Sequence, residues 1–133
     1  MIIRLPWPDR RLSPNGRAHW RSVAPIKAKA KRDACYLTYD AMPAGLREVR
    51  QLFAGDGPIR YAVTFYPPDK RLRDDDNMIG SFKAARDGIA EALAVNDRRF
   101  KPEYSFGEPC KPGYVEVCIT PAKVALAERP SDA

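Results

Sequence analysis

No run of apolar residues in this sequence approaches the length of about eighteen that a membrane-spanning helix needs. The first residues lack the apolar core of a signal peptide, so a soluble, cytoplasmic protein is expected. Cysteine is scarce. Cys35, Cys110 and Cys118 make an odd count with no C-x-x-C pair. A disulfide framework or a zinc site is therefore not expected, and the three are read as reduced core thiols. No glycine-rich turn of the nucleotide-binding kind is present, and no internal repeat.

The chain has 133 residues, enough for one domain with one core. A composition 44% hydrophobic and 30% charged excludes a wholly disordered or fibrous chain. Acidic residues are few in the first half. Residues 1–50 hold eleven basic side chains against four acidic ones, within a net charge of +6. A surplus of that kind is the footprint of phosphate binding, and equally that of a solvated basic face.

The pattern predicts the order β-α-β-α-β-β, an α+β fold with one mixed sheet and helices packed on it. A short strand is expected over 2–5, then a turn-rich stretch over 9–18 containing Ser13-Pro14-Asn15-Gly16. A helix is expected from about Ile26 to Ala41, with Pro25 in its first turn and Ala30, Ala34, Leu37 and Ala41 on one face. A second helical piece falls over 45–53. Residues 59–66 are the clearest strand, placing Ile59, Tyr61, Val63 and Phe65 on one side. A helix over 77–93 carries the stripe Ile79, Phe82, Ala85, Ile89 and Leu93, with Asp76 as its N-cap. Strands are expected near 103–107 and 113–119. The domain spans 1–121, and 122–133 reads as a flexible tail.

The oddest run is Lys70-Arg71-Leu72-Arg73-Asp74-Asp75-Asp76-Asn77. Three consecutive carboxylates repel one another unless a cation or arginines offset them. On an extended segment Asp74 and Asp76 project to one side and Asp75 to the other. Two such carboxylates suit magnesium, which completes its shell with water and phosphate oxygens. The flanking Lys70, Arg71 and Arg73 would draw in that phosphate. The alternative is a solvated loop whose Asp76 merely caps a helix. An EF-hand is excluded: frames starting at Asp74 and Asp75 put Ala85 and Arg86 where the twelfth-position Glu belongs.

Downstream, Asp76, Lys83 and Asp87 fall at i, i+7 and i+11, on one face of an unbroken helix with Gly80 between them. There Lys83 can lean toward the metal and steady a scissile phosphate; a plain surface ion pair with Asp87 is the competing reading. Asp97, in the loop Asn96-Asp97-Arg98-Arg99, adds a distal carboxylate. His19 beside Trp20 is either a general base, a base-stacking pair or local packing. Trp7 reads as a core or dimer anchor, and Tyr36 and Tyr39 as packing α-helix against sheet.

Taken in order, Leu5-Pro6-Trp7-Pro8, Ser13-Pro14-Asn15, Arg73-Asp74-Asp75-Asp76-Asn77, Lys83-Ala84-Ala85-Arg86-Asp87-Gly88-Ile89 and Asn96-Asp97 resemble the RusA family of Holliday junction resolvases of phages and prophages. The resemblance covers roughly residues 2–120. It implies a homodimeric, magnesium-dependent endodeoxyribonuclease (manganese substituting) that nicks four-way DNA junctions in pairs, in recombination and repair, with no small-molecule cofactor and no membrane partner. It also implies Asp74, Asp76 and Asp97 as metal-binding carboxylates, Lys83 as the catalytic lysine and Asp87 as a supporting acid. One departure stands out: the familiar type carries the lysine three residues after Asn, where this chain has Gly80. Arg10, Arg11, Arg17, Arg21, Lys27 and Lys31 are the expected sequence-independent phosphate contacts. A catalytically silent branched-DNA-binding module of the same fold is the alternative.

Overall fold

Alternation decides the sheet. In the computed structural model, which describes residues 1–14 and 19–121, β2 (Ile59–Tyr66) buries Ile59, Tyr61, Val63 and Phe65 completely and leaves the intervening residues partly exposed. β4 (Tyr114–Thr120) runs antiparallel beside it, setting Val117 opposite Val63. β1 (Ile2–Pro6) is antiparallel to β4, and β3 (Phe100–Phe106) is parallel to β2. The order β1-β4-β2-β3 makes one mixed four-stranded sheet of the α+β class.

Helices cover the apolar face of that sheet. α1 (Trp20–Ala41) and α4 (Lys83–Leu93) pack on each other and close the core, in which Ile89 and Leu93 are inaccessible. Each such aliphatic side chain contributes roughly 1.5–3 kcal/mol by its burial. Their approach is very close. A Cβ on Gly88 would collide with the carbonyl oxygen of Lys31, so only glycine fits there. α2 (Leu46–Leu52) adds Val49 to the core, and Arg50 donates to the carbonyl of Ala92 near the C-terminal end of α4 (3.1 Å).

Several local expectations are corrected. α1 begins at Trp20, before Ile26, because the His19 imidazole accepts the N–H of Arg21 (3.1 Å) and caps it. Pro25 thus lies inside the helix, where it removes one backbone bond near the end. The helix expected over 77–93 is two: α3 (Asp75–Ser81) and α4, separated at Phe82. Phe82 sits 3% exposed and edge-on to Phe65, so the core draws its side chain in at the break. β3 starts at Phe100, earlier than 103. Tyr36 is 61% exposed and packs on Tyr39 rather than the sheet. The cysteines are not core residues: Cys110 is exposed, Cys35 and Cys118 half-buried. Trp7 does pack on the core, edge-on to Phe65. Arg17 and the segment 122–133 lie outside the described residues.

Candidate metal centre and nucleic-acid face

β2 ends at Pro67-Pro68, and the chain then wraps a tight polar loop. The carboxylate of Asp69 accepts the N–H of Arg71 (2.9 Å) and the guanidinium of Arg73 (2.9 Å). The backbone bond from Arg71, then the one from Arg73, hold its carboxyl below the usual range. Arg73 further donates to the carbonyls of Asp69 and Arg71 and lies 5.5 Å over the ring of Trp7. Its side chain is only 14% exposed. Arg73 is thus committed to bracing the loop, in contrast to the exposed Lys70 and Arg71.

The N-cap is Asp74 rather than Asp76: its Oδ1 accepts the N–H of Asp76 (2.9 Å). Asp75 and Asp76 occupy the exposed first turn of α3, where the free N–H groups favour negative charge. Part of the repulsion within the acidic run is therefore offset by the backbone itself.

Asp97 opens the turn Asp97–Arg99, whose N-cap Asn96 accepts the N–H of Arg98 (3.0 Å). Two arginines pin this turn. Arg99 donates to the carbonyls of Phe53 (2.6 Å) and Gly57 (2.8 Å). Arg86, from α4, donates to the carbonyl of Asp97 (2.9 Å), and its Nε stands 3.8 Å from the Asp97 carboxylate. Asp97 and Lys83 line one cavity of about 160 Å³, together with Arg86, Tyr61, Tyr104 and Gly80.

Lys83 and Gly80 also line a larger groove of about 770 Å³ between α1 and the α3–α4 pair. Across it stand Arg11, Lys27, Lys31 and the exposed Trp20, with Asp87 on the α4 side. Lys83 and Asp87 form no ion pair with each other. Gly80 is excluded from bearing a side chain, because a Cβ there would run into the ring of Pro14. The lysine of this site therefore stands at the start of α4, beyond the break.

The proposed carboxylate triad does not converge. Asp97 and Lys83 share a cavity that Asp74 and Asp76 do not line. Among the described residues no three His, Cys, Asp or Glu side chains are grouped closely enough to hold one ion.

The expected basic contacts divide. Arg10, Arg21, Lys27 and Lys31 are exposed, Arg21 lying 5.3 Å over Trp20. Arg11 is tied to Asp9 by bonds of 2.8 and 3.0 Å. The side-chain bond from Arg11 is the largest of the causes that lower the Asp9 carboxyl to about 2. Sequence reasoning passed over Arg86, Tyr61 and Tyr104. Their only signal was the helical spacing that puts Arg86 one turn beyond Lys83.

No family model matches the chain. Over 98 residues it is 41% identical to an uncharacterized protein of Xylella fastidiosa (strain Temecula1), a match covering 74% of this chain. It spans only 61% of that relative's length. No helix of the described residues is long and apolar enough to cross a membrane.

Proposed function

We propose that this chain is a cytoplasmic, magnesium-dependent endodeoxyribonuclease selective for branched DNA, resolving four-way junctions as a homodimer in recombination and repair. The observation that carries the reading is the position of Lys83. It borders both the small cavity of Asp97 and the larger groove of Arg11, Lys27 and Lys31. A duplex or strand held by that groove would have its backbone beside Lys83 and, through it, beside a carboxylate. The RusA-like order of motifs supplies the reaction class. A two-fold substrate suits a two-fold dimer with one site per strand.

Magnesium enters this reading as a demand on conformation. Asp74 and Asp76, one capping α3 and the other in its first turn, would have to close on Asp97 around the ion. The test is nicking of synthetic four-way junctions in magnesium, with flap, duplex and RNA substrates alongside. Paired nicks abolished by a chelator and by Asp76→Asn are expected, and efficient cutting without a divalent ion would sink the reading. A second reading, favoured by a cavity that Asp97 and Lys83 line and Asp74 and Asp76 do not, is a catalytically silent branched-DNA-binding module. Tight junction binding with no cleavage in magnesium or manganese would establish it.

A further inference from the structure

Of the two tryptophans, only Trp7 packs against the core. Trp20 opens α1 and, at 68% exposure, carries the most exposed ring among the described residues. Single apolar residues on a surface are common, so the setting of this one decides its meaning. The imidazole of His19 lies 5.7 Å from the indole, tilted by 32°, and the guanidinium of Arg21 lies 5.3 Å over it. His19 is not a general base in this position. Its Nδ1 accepts the N–H of Arg21, so the neutral ring carries its proton on Nε2 and has no lone pair to spare. Local packing explains little of Trp20 either, since both ring contacts are with its chain neighbours and most of the residue stays open.

Trp20, Lys27 and Lys31 fall at i, i+7 and i+11, on one face of α1. All three line the groove of about 770 Å³, with Lys83 on its other side, and Asp87 is the one acid among the lining residues. An aromatic face beside a row of cations is how sequence-tolerant proteins hold a nucleic-acid strand: the cations track the backbone and the ring takes a base. A strand whose phosphates meet Lys27 would bring a base to the indole, about 10.5 Å along the helix axis. A second copy of this chain fits the groove badly. Turned face to face across a two-fold axis, it would set Lys27, Lys31 and Lys83 against the same cations.

A base inside a continuous duplex has both faces covered by its neighbours. An open face is offered only where a strand is unpaired, at an end or at a branch. We infer that Trp20 is a stacking platform for an unstacked base of branched or single-stranded DNA whose backbone runs along Lys27 and Lys31, a role that rests on the branched-DNA reading above. Phosphate contacts carry no means of telling a branch from a duplex of the same charge. The indole supplies that distinction, and Arg21 adds a cation beside the stacked base.

The experiment measures affinity of the whole chain, by fluorescence anisotropy in metal-free buffer, for a four-way junction, an oligothymidylate single strand and a continuous duplex. Trp20→Ala should weaken junction and single-strand binding roughly tenfold and duplex binding much less, while Trp20→Phe retains most of the affinity. The single strand should also quench wild-type tryptophan emission saturably, and the Trp7 emission left in Trp20→Phe should not respond. Because the side chain lies outside the core, the fold should survive both changes. Unchanged junction affinity in Trp20→Ala, an equal loss on duplex, or a loss of dimer on sedimentation in that variant would overturn the platform while leaving the branched-DNA reading in place. Failure of all three DNAs to bind the wild type would overturn both.

Discussion

Arg86 holds Asp97 by its backbone rather than by its carboxylate. The hydrogen bond to the carbonyl is 2.9 Å, whereas the side-chain approach is 3.8 Å. The turn is thereby fixed, and the carboxylate is left in a looser ion pair. Arg86→Gln should destabilise the protein by about 1–3 kcal/mol in urea unfolding, through a bond to a charged donor and the stacking on Tyr61. Arg86→Lys should not restore it, because a lysine lacks the planar fork that reaches the carbonyl and lies along two rings. Full stability in either variant would contradict this role.

The place of the lysine is tested by moving it. Lys83→Ala should lower junction cleavage by about 10²–10³-fold if Lys83 stabilises charge in the reaction. Adding Gly80→Lys to that variant should not recover activity, since a side chain at 80 meets the ring of Pro14. Recovery to wild-type rates would show that the groove tolerates the lysine before the break.

Acid stability should carry a mark of Asp9. Its folded carboxyl is lowered to about 2, chiefly by the side-chain bond from Arg11, against about 3.9 in an unfolded chain. A lowered folded value stabilises above the unfolded one, and that contribution disappears as pH falls through the folded one. The stability gap between wild type and Asp9→Asn should be constant above about pH 5 and shrink toward zero near pH 2. Urea midpoints measured across that range check it; a gap that widens on acidification would refute the pairing.

Salt should separate the arginines and lysines that sequence grouped together. If about six phosphates are neutralised, the logarithm of the junction affinity should fall with log salt at a slope near −5. Lys27→Ala and Lys31→Ala should each reduce that slope by about one. Arg73→Ala should leave the slope nearly unchanged and lower thermal stability instead, because its guanidinium is bound to Asp69, Arg71 and Trp7. A slope change of a full unit in Arg73→Ala would return it to the DNA face.

Alternation made β2 legible residue for residue, and helical spacing identified Phe82, Ala85, Ile89 and Leu93 as core. The end of α1 at Ala41 was legible, but its start was hidden because its cap is a histidine, outside the usual Ser, Thr, Asp and Asn. The break at Phe82 was hidden too, since its causes are tertiary: a ring pulled onto Phe65 and a proline seated on Gly80. Within the candidate site, charged residue types were visible but their allegiances were not. Arg73 and Arg86 look alike in sequence to Lys70 and Lys83, yet Arg73 is bound by its near neighbours Asp69 and Arg71 and lies over Trp7, and Arg86 is bound to Asp97.

The contact of Gly88 with the carbonyl of Lys31 has a bearing on recognition. It joins α1 and α4 main chain to main chain, leaving no compressible side chain between them. The helix backbones that carry Lys27, Lys31 and Lys83 are thereby held at a set distance. Under the proposed nuclease reading, a phosphate backbone in the groove would be selected by its shape more than by movement of the two helices.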